Sequence, residues 1–161
     1  MASPISHIIY CKRYFETLES DEGVSKLRDQ GTKIVPLAQI DKDEFILGAS
    51  FPDIRFIDDR IKRKDTHMSF PKIDLDFSDL TSFQAGWKFH LYCDMKREEI
   101  LNNYKFYSLP DASDAYGRPA KLLEDSLVYD YYDNWEKISL YFSHAPFIET
   151  GVKIDQETLS L

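Results

Sequence analysis

Apolar residues recur along much of this chain at intervals of three and four. Ile8, Ile9, Cys11, Tyr14, Phe15 and Leu18 follow Ser6 in this way, which predicts an amphipathic first helix capped by Ser6. Residues 21–30 predict a short second helix, with Gly31 as its stop signal. Residues 41–49 predict a third that runs into Phe51-Pro52-Asp53, where Pro52 disfavours a helical Phe51 and turns the chain. Residues 54–77 are charged and irregular and read as a long surface excursion. The strongest pattern covers 78–103, with Ser78 as its cap and Leu80, Phe83, Trp87, His90, Leu91 and Asp94 along one side. Gly86 inside that pattern costs about 1 kcal/mol against alanine, which is tolerable where another element must approach closely. A loop is expected over 104–117 and a last long helix over 118–143, with Leu122, Leu123 and Leu127 on its apolar side. Alternation of period two is nowhere sustained. The expected class is all-α, a single helical bundle over 1–161, with an abrupt end that suggests a truncated chain.

Composition narrows the function. Lys and Arg number 20 against 28 Asp and Glu, a net charge of −8, and the basic run Arg60-Ile-Lys-Arg-Lys64 is flanked by Asp58, Asp59 and Asp65. Gripping duplex nucleic acid through its phosphates needs a basic face, so that partner is not expected. The two cysteines, Cys11 and Cys93, give no disulfide framework. No signal peptide and no transmembrane stretch are visible, and a cytoplasmic setting is expected.

The candidate chemistry lies in His90-Leu-Tyr-Cys-Asp94. Residues at i and i+4 share a helix face, so this imidazole and carboxylate can close on one ion. Two loop residues can join them: Asp53, after Phe51-Pro52, and His67, after Asp65-Thr66. Asp53 and Asp94 lie among apolar neighbours, where an unpaired carboxylate is costly to bury, and a cation shared with His67 and His90 would relieve that cost. Mixed imidazole and carboxylate ligands suit zinc, with iron or manganese also acceptable. Such an ion activates water for hydrolysis, with a carboxylate, Asp53 or Asp94, as the group that orients it or takes its proton. His144 sits near Pro146 and is expected to be structural.

These residues form an ordered set: Ser3-Pro4-Ile5-Ser6-His7, Leu47-Gly48-Ala49-Ser50-Phe51-Pro52-Asp53-Ile54-Arg55, Thr66-His67 and Gly86-Trp-Lys-Phe-His90-Leu-Tyr-Cys-Asp94. The set resembles the zinc-dependent phospholipase C family, which shares its fold with the single-strand-specific zinc nucleases, and more closely a branch of small bacterial proteins of that kind. The resemblance implies an all-α fold with a metal cluster between helices. It implies one ion held by Asp53, His67, His90 and Asp94, and a second ion bridged by Asp94 and bound by His7. It stops at the family's third ion: Ala120-x-x-x-Glu124 and Lys121-x-x-x-Asp125 stand where a histidine should be, and Glu124 or Asp125 either reaches the cluster or, as the commoner case for such a pair, forms a helix-surface salt bridge with Lys121.

Two functions follow. One is a metal-dependent hydrolase of a phosphoester, phosphodiesterase-like or phospholipase C-like, acting on a small molecule or a lipid head group. The alternative is a metal-stabilised module without turnover, which meets a protein partner through the tyrosine-rich second half (Tyr104, Tyr107, Tyr116, Tyr129, Tyr131, Tyr132 and Tyr141).

Overall fold

The computed structural model describes residues 4–29, 31–56, 60–67, 70–110, 112 and 118–128. Among them all regular structure is helical: α1 (Pro4–Glu19), α2 (Asp21–Asp29), α3 (Lys42–Ser50), the single turn α4 (Arg63–Thr66), α5 (Ser82–Asn103) and α6 (Arg118–Val128). The all-α expectation holds for these residues. The helix expected over 129–143, and His144, lie outside them.

Two helix starts are built by local hydrogen bonds and then tied together. Asp41 caps α3 by accepting from the N–H groups of Asp43 and Glu44, both at 3.0 Å. Thr81 caps α5 in a capping box with Gln84. The Asp41 N–H donates to Ser82 Oγ at 2.9 Å, which sets the two starts side by side. From there the helices keep one register. Asp41 meets Ser82, Phe45 meets Gly86 and Ala49 meets His90, each pair 41 residues apart and one turn beyond the last.

Glycine makes that approach possible. A Cβ on Gly86 would lie 1.9 Å from the Phe45 carbonyl oxygen, and one on Gly48 would lie 2.0 Å from that of Phe83. No side chain fits at either position, so α3 and α5 pack backbone against backbone. This is the close approach for which the sequence reserves Gly86.

The core fills the angle between this pair and α1. Tyr14 and Phe15 of α1 pack on Phe45 of α3, and Phe45 packs on Phe77 and on Phe89 of α5, with ring centroids 5.2–5.9 Å apart. Such offset and edge-on pairs add to plain area burial. Lys88 is buried at the rim, where its Nζ donates to Asp74 Oδ1 at 2.7 Å and to the Asp76 carbonyl at 2.6 Å. These bonds pin the segment before α5.

Five sequence expectations are corrected. Helix α5 begins at Ser82, capped by Thr81 and not by Ser78. Ser78 instead closes a turn in which its N–H donates to Asp76 Oδ1, and Asp79 has a φ of +65° that a continuing helix excludes. Helix α1 begins at Pro4, so Ser6 lies inside it and is fully buried; proline suits a first turn, where N–H groups lack helical partners. Phe51 is helical (φ −57°, ψ −41°), and the chain continues through a tight turn over Phe51–Phe56. Its ring is held 4.9 Å from Trp87 and 5.3 Å from Phe83, and this packing outweighs the pre-proline preference. Finally, the irregular span 54–77 carries α4, and the loop over 104–117 carries a tight turn at Phe106–Ser108.

Candidate metal centre

The register of α3 and α5 ends at the site. At its third step, Ala49 near the end of α3 presents its carbonyl oxygen 2.8 Å from His90 Nδ1. That contact fixes the tautomer: Nδ1 carries the hydrogen and donates it, so Nε2 keeps its lone pair. His90 is fully buried, and its Nε2 makes no hydrogen bond among the described residues. It faces Asp94 Oδ2, one turn on, at 3.6 Å.

His7 comes from the first turn of α1 and is fully buried. Its ring stacks on that of His90 with centroids 3.7 Å apart and 16° between planes. Its two nitrogens face two carboxylates, Nε2 to Asp94 Oδ1 at 3.6 Å and Nδ1 to Asp53 Oδ2 at 3.8 Å. Ligand atoms of His7, His90 and Asp94 all lie within 4.8 Å of one another, a group able to hold a metal ion.

Asp53 and His67 frame this triad. Asp53 sits in the tight turn after α3 and is buried. His67 follows α4, and its ring meets that of His90 edge-on at 6.0 Å. A short chain of bonds positions it. Trp87 Nε1 of α5 donates to the Thr66 carbonyl at 2.6 Å, the Thr66 hydroxyl donates to the Pro52 carbonyl at 3.2 Å, and the same hydroxyl lies 3.2 Å from His67 Nδ1. All five sequence-derived residues thus converge from α1, α3's trailing turn, α4 and α5. The tightest group contains His7, which the family resemblance assigned to a second ion.

The protonation states suit ligands, which bind cations as neutral imidazole and carboxylate. Burial, then the neighbouring His7, pushes the His90 imidazole well below its ordinary range, so it is neutral at pH 7. Burial pushes the Asp94 carboxyl up, but its hydrogen bond with the His7 imidazole and the nearness of His90 outweigh it, and Asp94 stays ionised. Two imidazoles and a carboxylate, with a buried lone pair aimed between them, fit zinc, iron or manganese by donor chemistry.

Comparison of the chain with family models, with curated proteins and with solved structures finds no match in any of the three. The centre therefore stands on its own geometry.

Beside it lies a second charged group that the sequence reading did not assemble. Arg97, one turn past Asp94 on α5, is buried; its Nε donates to Glu124 Oε1 of α6 at 2.5 Å and its Nη1 to Glu98 at 2.9 Å. Ser6 donates to Asp125 Oδ1 at 3.5 Å. Both α6 carboxylates thus reach the site's neighbours, as the sequence reading allowed for Glu124 or Asp125. The spacing from His90 to Arg97 is seven residues, two turns of one face, which was a usable signal. Nothing in the local sequence of Glu124 announces its partner 27 residues away.

Proposed function

We propose that the chain is a metal-dependent hydrolase of phosphoesters, built on the plan of the zinc-dependent phospholipase C family. The observation that carries this reading is the set lone pair of His90, buried and aimed at Asp94 beside His7. A buried nitrogen with no hydrogen bond is costly, and a cation is the partner this arrangement suits. His7, His90 and Asp94 hold the ion, zinc or in its place iron or manganese. Asp53 orients His7 through Nδ1, and His67 completes the set from the α4 side. A bound divalent ion supplies Lewis acidity and an activated water. The carboxylates, Asp94 and Asp53, orient that water and take its proton. The two free cysteines suit the reducing cytoplasm expected from the sequence.

One observation favours the second reading, a metal-stabilised module without turnover: His7 and His90 are both fully buried, as structural ligands are. One experiment separates the two. Bound metal is counted by elemental analysis in wild type and His90→Ala, and hydrolysis of p-nitrophenyl phosphate and bis(p-nitrophenyl) phosphate is followed in both. Metal in wild type, lost in the variant together with hydrolysis, supports the enzyme. Metal without hydrolysis supports the module. No metal in wild type, even after incubation with zinc, iron or manganese, overturns both.

A further inference from the structure

Two buried polar atoms next to the metal centre make no hydrogen bond among the described residues: Arg97 Nη2 and Glu124 Oε2. They belong to one ion pair, since Arg97 Nε holds the other oxygen of Glu124 at 2.5 Å. A donor and an acceptor therefore stand together, fixed and dry, with capacity left over. Such atoms are rarely left so in folded proteins, and each calls for a ligand.

Their place points to the ligand. Asp94 and Arg97 occupy consecutive turns of one face of α5, and Glu124 closes over Arg97 from α6. Tyr10 of α1 lies among them; burial first, then the charge of Glu124, holds its hydroxyl up at about 12, and the charges of Arg97 and Asp94 also reach it. The Tyr10 ring in turn sits edge-on to His7 at 6.0 Å. Triad and ion pair are thus neighbours around one phenol. The Asp94 and Glu124 side chains keep exposures of 11% and 20%, so the cluster lies close to the surface, although the two unpartnered atoms themselves are buried.

We propose that Arg97 Nη2 and Glu124 Oε2 form a seat for a phosphoryl group that carries one P–OH. Nη2 donates to an ionised phosphoryl oxygen, and Oε2 accepts from the protonated one. Guanidinium suits the first role through its fixed fork of donors. The carboxylate suits the second and repels a group with no proton to offer. The site consequently prefers free phosphate, and a phosphomonoester in its singly protonated form, to phosphodiesters. This inference rests on the metal-hydrolase reading, which supplies the reacting centre beside the seat.

The test is calorimetric titration of zinc-loaded protein with inorganic phosphate and, separately, with dimethyl phosphate, a diester without a P–OH. Wild type, Arg97→Lys and Glu124→Gln are compared, with zinc content and circular dichroism recorded for each. Wild type is expected to bind phosphate at least tenfold more tightly than dimethyl phosphate. Arg97→Lys is expected to keep its zinc and weaken phosphate binding tenfold or more. Glu124→Gln, which is isosteric and serves as the second variant should Arg97→Lys fail to fold, is expected to shrink the preference for phosphate to threefold or less. Zinc-loaded wild type that binds no phosphate, or a folded, zinc-loaded Glu124→Gln that keeps the full preference, overturns the seat. Wild type that takes up no zinc overturns the metal reading instead. Phosphate binding by that zinc-free protein, if abolished in Glu124→Gln or Arg97→Lys, still supports the seat.

Discussion

Lys88 shows how a single residue ties packing to pH. Its ammonium is buried and held by Asp74, with Lys72 also 2.9 Å from the same carboxylate. The hydrogen bond from Lys88 is the chief reason the Asp74 carboxyl is held down at about 2. A carboxyl depressed in the folded state stabilises the fold above its unfolded range and loses that contribution as pH falls through the folded value. The window here runs from about pH 4 down to about pH 2. Asp74→Asn is therefore expected to cost about 1 kcal/mol at pH 7, allowing for solvent screening, with the difference from wild type vanishing near pH 2 in denaturant titrations. Lys88→Ala is expected to cost more, because it leaves Asp74 and the Asp76 carbonyl without their shared donor. Neither change is expected to alter bound metal. At this scale the sequence was informative where chemistry follows spacing: His90 and Asp94 share a face because four residues make a turn. It was silent on Lys88, since the partner lies 14 residues away across an irregular segment.

Among the elements, α3 and α5 carry the argument. Their contact admits no Cβ at Gly48 or Gly86, and the obstructing atoms are backbone carbonyls that cannot swing aside. Gly86→Ala and Gly48→Ala are each expected to cost about 3 kcal/mol, read as a lowered unfolding midpoint. Gly31→Ala, at a φ of +74° but in open space, is expected to cost only about 1 kcal/mol. Asp41→Ala removes the acceptor for two N–H groups at the start of α3 and is expected to cost about 1 kcal/mol. The helices themselves were legible from apolar spacing, but their ends were less so. Ser78 looked like a cap because serine often is one, whereas Thr81-x-x-Gln84 is the pair that satisfies two N–H groups reciprocally. Phe51 was misread because a local proline rule ignores the aromatic contacts that hold it helical. The common register of α3 and α5 was not legible at all, because it depends on where two distant helix starts are joined.

At the scale of the whole molecule, a metal held only by the folded chain becomes part of its stability. Binding to the native state alone contributes about 2.7 kcal/mol when free metal is a hundredfold above its dissociation constant. For a chain of this size that corresponds to a rise of roughly 5–10 °C in the unfolding midpoint. Wild type is expected to show such a rise on addition of zinc, reversed by a chelator, and His90→Ala is expected to show none in the same scanning experiment. The five candidate residues were legible as a set because each falls in a short motif. Their relative placement was not: only the folded chain brings His7 into the tightest group and sets Arg97 with Glu124 alongside.

The parallel register of α3 and α5 also means that the His90 nitrogen facing Asp94 is chosen by a backbone atom 41 residues away in sequence. Ala49 contributes no side-chain chemistry, yet its carbonyl decides which nitrogen of His90 is free. A substitution at Gly48 that pushes the helices apart would release that ring, and His90 could then turn its other nitrogen inward. Variants can therefore lose the centre with all five polar residues intact. A mutational survey confined to histidines and aspartates would never sample such variants, and the glycines are where it should begin.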